Sequence, residues 1–235
     1  MIILLPPSES KTPHTHGDPL NLDQLSFPEL TEDRSHMCDT LMEISARERG
    51  WEELGVSQRL APEVERNTEL FTASAGPAIN TYTGVLYTAL DADTVTHEDR
   101  LDTVFISSAL FGVVNARDHI PAYRYTMTPK LATWWKKRLS PVLDDAWAAE
   151  VVVDCRSGAY RRAWPGANTL PVKVVTETDG VRKTVSHNAK HTRGLVARHL
   201  LNRDEQIPTT PEGVVDALEE AFTVEYDHPE ITIVV

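Results

Sequence analysis

The chain has 235 residues, 41% hydrophobic and 25% charged, a composition that supports a real core and excludes disordered or fibrous protein. No apolar run reaches the roughly 18 residues of a membrane span, and the opening Met-Ile-Ile-Leu-Leu-Pro lacks the length and basic flank of a secretory leader. Two cysteines, Cys38 and Cys155, cannot make a disulfide framework, so a reducing cytoplasm is expected, and the formal charge of −12 argues on its face against nucleic acid.

Residues 1–5 read as a short buried strand stopped by Pro6-Pro7, and 8–19 as a polar loop. The spacing of Met37, Leu41, Ile44 and Ala46 predicts an amphipathic helix over 31–49 with Gly50 as its stop. A second helical stretch over 57–71 is disturbed by Pro62, and Ile79, Tyr82, Leu86 and Leu90 give 78–90 a near-helical period. Residues 102–107 form a strand candidate before a turn at Gly112; 130–139 are helical, with Pro141 restarting the helix toward Trp147. Residues 150–154 are a buried strand. Asp179-Gly180 joins 170–177 and 181–186 as a hairpin. Helices follow over 188–202 and from Thr210-Pro211, and 223–235 carry one or two strands. With no repeat and no Pro/Gly/Ser-rich linker, residues 1–235 form one mixed α/β domain, a central sheet surrounded by helices.

The charge is not evenly placed. Residues 1–116 hold 7 basic and 19 acidic residues, 117–203 hold 16 and 7, and 204–235 hold none and 9. A basic centre lies between two acidic arms, and a basic face or cleft is its sharper reading.

Four motifs bear on chemistry. Cys155 and Arg161, six residues apart after a buried strand, are spaced as in a Cys-phosphatase loop, and Cys-Arg-Ser-Gly resembles the rhodanese loop; a low-pKa thiolate would be the nucleophile. Ser8-Glu9-Ser10-Lys11 spells Ser-x-x-Lys without the partner motifs of penicillin-binding enzymes. His14, His16 and Asp18 offer metal-ligand types on a loop with no defined scaffold. On a helix, Lys190, His191, Arg193, Gly194 and Arg198 share an arc of about 160°, with three permanent positive charges and no acid, an anion-binding pattern. Trp134-Trp135 beside Lys136-Lys137-Arg138 reads as one buried and one half-exposed indole on an amphipathic helix.

In order along the chain, several segments resemble the peroxide stress protein YaaA family. They are Leu5-Pro6-Pro7-Ser8-Glu9-Ser10-Lys11-Thr12, Tyr82-Thr83-Gly84-Val85-Leu86-Tyr87-Thr88-Ala89-Leu90, Ser107-Ser108-Ala109-Leu110-Phe111-Gly112, and Ile120-Pro121-Ala122-Tyr123-Arg124. The resemblance continues through Arg156-Ser157-Gly158-Ala159-Tyr160, Ser186-His187, Lys190, Arg193-Gly194 and Arg198. The chain departs from the pattern at Asn115-Ala116, where the family has Arg-Pro, and at Cys155, where the family often has an aliphatic residue.

The resemblance implies a cytoplasmic α/β protein with a positive cleft. It also implies a part in limiting iron-driven peroxide damage, and DNA binding through a helix-hairpin-helix-like element, whose nearest stretch here runs from Ala75-Gly76-Pro77 to Gly84. The preferred reading is a binding protein with DNA or a nucleotide or other phosphate ligand as partner, no membrane, no cofactor and no metal; the oligomeric state stays open. The ligand-binding candidates are Ser8, Lys11, Gly112, Tyr123, Arg124, Arg156, Ser157, Tyr160, Ser186, His187, Lys190, Arg193, Gly194 and Arg198. The alternative is an enzyme, a Cys155-dependent sulfurtransferase or phosphatase or an activity on a nucleotide in the same cleft.

Overall fold

The apolar residues that open the chain become the middle of the sheet, where both faces are covered. The computed structural model describes residues 1–178, 180–183 and 185–235, the Ser186 side chain excepted. In chain order the elements are β1 (Ile2–Leu5), α1 (Thr31–Ser45), α2 (Gly50–Glu53), α3 (Ala61–Glu65), β2 (Gly76–Pro77), α4 (Ala78–Thr81), α5 (Val85–Leu90), β3 (Val104–Ser108), β4 (Gly112–Asn115) and β5 (His119–Ile120). They continue as α6 (Pro129–Ala146), β6 (Val152–Asp154), α7 (Gly158–Ala163), β7 (Thr169–Thr178), β8 (Val181–Lys183), α8 (Ser186–Asn202), α9 (Pro211–Glu219), β9 (Thr223–Asp227) and β10 (Glu230–Val234).

The sheet order is β4-β3-β1-β6-β7-β10-β9, with β8 on the far end of β7 and β2–β5 a separate ribbon. Strands β3, β1, β6, β7 and β10 run parallel, with Ile3 opposite both Val104 and Val153; β4 and β9 close the edges antiparallel. A parallel interior covered by helices explains why 2–5 and 151–153 are unbroken apolar runs instead of alternating ones. The chain is a single mixed α/β domain, as its alternation of elements predicts.

Several boundaries differ from the sequence reading. The helix expected over 31–49 ends at Ser45, and Gly50 begins α2 instead of stopping α1. The stretch over 57–71 is broken, with Pro62 in the first turn of α3, where its missing N–H costs nothing. The period over 78–90 belongs to two short helices, because Tyr82 takes an extended backbone between α4 and α5. Gly112 opens a strand that the apolar pattern did not distinguish from a turn; its φ is +73°, and a Cβ there would lie 2.7 Å from the Trp135 ring. Helix α6 runs through Pro141 without restarting. The hairpin pairs Thr178 with Val181; Asp179 lies outside the described residues. Trp135 is buried and donates to the Ala109 carbonyl at 2.9 Å, while Trp134 is half-buried under the Arg138 guanidinium at 3.6 Å.

Candidate functional site

The parallel strands dictate where a ligand can sit. The chain leaving β1 goes on to β3 on one side, and the chain leaving β6 goes on to β7 on the other. Between two neighbouring parallel strands whose connections diverge, the carboxyl ends leave a crevice that neither connection fills. A cleft of about 490 Å³ opens there. Its walls are residues 6–10 after β1, 83–87 at the start of α5, 125–127 before α6, Ser157, Ala159 and Tyr160 at the start of α7, and Lys190 and Arg193 of α8.

The β1 loop is tied down from several directions. Pro6 and Pro7 cannot extend the ladder, and the Tyr87 hydroxyl donates to the Pro6 carbonyl at 2.7 Å. Ser8 Oγ accepts the Thr83 N–H at 2.9 Å and donates to the Ser10 carbonyl. Lys11 donates to the Ser8 carbonyl at 2.8 Å and the Glu9 carbonyl at 3.3 Å, and its ammonium lies 4.3 Å from the Tyr123 ring centre. Lys11 thus braces the loop from behind and does not line the cleft. Burial, then the neighbouring Arg124, push its pKa down to about 7 against the opposing pull of Glu63 and Glu9.

Below Lys11, Tyr82 and Tyr123 share a hydrogen bond of 2.9 Å, and Tyr123 meets Ser108 Oγ at 2.7 Å. Burial holds the Tyr82, Tyr87, Tyr123 and Tyr160 phenols above the ordinary tyrosine value, so they act as neutral hydroxyls. Arg124 is buried and engages the Glu9 carbonyl and carboxylate at 3.2 Å and the Glu63 carboxylate at 3.4 Å.

The other predicted residues separate into groups. Arg156 is 1% exposed; its fork holds both Asp154 oxygens at 2.8 and 3.0 Å and donates to the Trp164 and Tyr160 carbonyls. Burial alone would raise the Asp154 carboxyl, but Arg156 and Arg161 hold it below the ordinary carboxylate range. This pair fixes the turn from β6 into α7 from inside, and so positions Ser157 and Tyr160 on the cleft wall.

Helix α8 presents Lys190 and Arg193 to the cleft, but not Gly194, Arg198 or His187. A Cβ on Gly194 would lie 2.2 Å from the Leu86 carbonyl oxygen, so that glycine lets α8 cross α5 closely. Arg198 pairs with Asp91 at 3.4 Å. His187 is exposed on the first turn of α8, and the Ser186 side chain lies outside the described residues. Gly112 and Tyr123 sit in the core.

Arg193 differs from every other arginine at this edge. Its Nε donates to the Val172 carbonyl at 3.0 Å, which fixes the guanidinium plane. Its terminal nitrogens have no hydrogen-bond or ion-pair partner among the described residues, although burial lowers its pKa. Lys190 is exposed and has no ion-pair partner among the described residues; Ser157 Oγ makes no capping bond to α7. The cleft lining therefore carries an anchored planar donor fork, an exposed ammonium and a hydroxyl.

Cys155 is fully buried, 4.0 Å from the Arg193 carbonyl oxygen, and burial pushes its thiol up to about 12. A protonated, enclosed thiol is the opposite of the exposed thiolate that a sulfurtransferase or phosphatase loop needs. Arg161 turns back to Asp154, donating to its carbonyl at 3.3 Å and lying 3.5 Å from its carboxylate. His14 bonds Thr81 at 2.7 Å, and no group of three or more His, Cys, Asp or Glu side chains placed to hold a metal ion occurs among the described residues.

Sequence reasoning missed Thr83, Tyr87 and residues 125–127. Thr83 and Tyr87 carried a signal, since both lie in the resembling segment that runs from Tyr82 to Leu90; residues 125–127 carried none.

A family model described as peroxide stress protein YaaA matches residues 1–227. A UPF0246 protein of Corynebacterium efficiens is 43% identical over 235 residues, covering 96% of this chain and 95% of that protein. UPF0246 proteins of Corynebacterium glutamicum and Streptomyces coelicolor are 40% and 38% identical, each covering 97% of this chain and 96% and 91% of their own.

Proposed function

Because the chain belongs to the peroxide stress protein YaaA family, we propose that it serves the peroxide-stress response by holding a phosphate-bearing ligand in the cleft between the β1 loop and α8. The observation that carries this reading is Arg193, a guanidinium anchored through Nε with its remaining donors open to the cleft, beside Lys190, which has no ion-pair partner among the described residues. An arginine buried to this degree gains stability from an acidic partner, and its lack of one is a cost that an anionic ligand offsets. Two buried, unbridged cysteines agree with a cytoplasmic setting. DNA is the polymer that would present such phosphates, and limiting iron-driven damage to it is the biological role we assign.

The acidic arms repel a long polyanion, so affinity rests on a few contacts and falls with salt. Fluorescence anisotropy with a labelled single-stranded oligonucleotide, titrated at several salt concentrations, tests this. The log–log salt slope should shrink by about 1.4 in the Lys190→Ala/Arg193→Ala protein, at about 0.7 for each cation removed. Affinity that ignores salt, or that survives this double substitution, overturns the reading.

A further inference from the structure

Resting on the phosphate-binding reading above, we infer that the cleft selects one nucleotide unit: a heteroaromatic ring carrying a single phosphate. The cleft has two unlike kinds of lining. Lys190, Arg193 and Ser157 supply two cations and a hydroxyl donor as one, and Pro7, Val85, Met127, Ala159 and the Tyr160 ring supply apolar surface as the other. A bare phosphate or a sugar phosphate would leave that surface against water, whereas a planar ring covers it and can stack on Tyr160. The partly exposed Tyr160 is held at the cleft by the Arg156–Asp154 pair, which takes its backbone carbonyl at 3.2 Å.

Charge sets the phosphate number. Glu9, the one lining carboxylate, is already paired with Arg124 at 3.2 Å, so Lys190 and Arg193 leave two positive charges for a ligand. A monophosphate, carrying about −1.5 to −2, balances them. A triphosphate would bring further negative charge with no further cation lining the cleft among the described residues. Volume agrees, since about 490 Å³ lies within the roughly 300–1,000 Å³ of sites that enclose compact organic ligands. The polar rim at Ser10 and Thr83, whose hydroxyls lie 3.0 Å apart, faces the edge of such a ring or its sugar.

Isothermal titration of the full chain with AMP, ribose 5-phosphate and ATP tests the assignment. AMP should bind at least about tenfold tighter than ribose 5-phosphate, the worth of one aromatic stack, and tighter than ATP. Ala159→Phe, which fills the apolar part, should abolish this advantage while ribose 5-phosphate binding persists; Tyr160→Ala should do the same, and Tyr160→Phe should keep it. Equal binding of AMP and ribose 5-phosphate, or tighter binding of ATP, overturns the single-nucleotide assignment and leaves the phosphate reading standing. No binding of any of the three, nor of a short oligo-dA strand, overturns both. A short oligo-dA strand that binds while AMP does not also overturns it, since the strand would then be held through its backbone.

Discussion

Arg156 and Arg193 both sit against the end of β6, one beside Asp154 and the other over Cys155, and they do opposite work. Arg156 is enclosed and each of its three guanidinium nitrogens donates to the protein, so it has nothing left for a ligand. Arg193 engages one nitrogen and leaves its fork open to the cleft. The difference lies in the partner at hand. Asp154, two residues before Arg156 on the same strand end, captures the nearer guanidinium, and Arg193 is left with only a carbonyl. A buried arginine with all its donors satisfied is a structural brace; one fixed by a single bond is prepared for an anion.

The largest expected effect comes from removing the brace. Arg156→Met leaves Asp154 buried with only the longer 3.5 Å contact to Arg161, and should cost about 3–5 kcal/mol in urea denaturation. Arg156→Lys should recover only part, since an ammonium cannot span the carboxylate and two carbonyls as a planar fork does. A near-neutral Arg156→Met would place Arg156 back among ligand-binding groups and break the contrast.

Gly194→Ala comes next, at about 1–3 kcal/mol, because the added methyl meets the Leu86 carbonyl and forces α8 away from α5. Calorimetric melting checks it, and an unchanged melting temperature would show that the two helices have room to spare.

Lys11 gives a pH signature. Its folded pKa of about 7 lies below the ordinary 10.5, so between those values the unfolded chain binds more protons than the folded one. Stability from this group therefore rises with pH across that window, by up to about 1.4 kcal/mol per pH unit. Urea midpoints from about pH 7 to 9 should climb in the parent and flatten in Lys11→Met. An identical climb in the variant would assign the proton elsewhere.

Smallest in stability are the exposed cations. Lys190→Ala and Arg198→Ala should each change stability by no more than about 0.5–1 kcal/mol, but only Lys190→Ala should weaken phosphate binding. A matching loss from Arg198→Ala would extend the site along α8 to Asp91.

The strand–helix alternation was legible because buried parallel strands leave unbroken apolar runs, as at 2–5 and 151–153. Proline and glycine misled where their local chemistry has two outcomes: Gly50 starts a helix it was expected to end, and Gly112 opens a strand instead of a turn. Within the site, spacing placed Lys190, His191, Arg193, Gly194 and Arg198 on one helical face, yet only Lys190 and Arg193 reach the cleft, because α5 covers Gly194 and supplies no room there for a ligand. Arg156 could not be told from Arg193 by residue type. What separates them is a buried acid's position in three dimensions.

Amide chemical-shift mapping of the labelled protein during titration with AMP reads the site residue by residue. Residues 8–10, 83–85, 157–160 and 190–193 should shift together along one saturating curve, while Gly112 and Arg198 stay still. Shifts confined to the exposed cations of α6, or none at all, would contradict a ligand site at the divergence of β1 and β6.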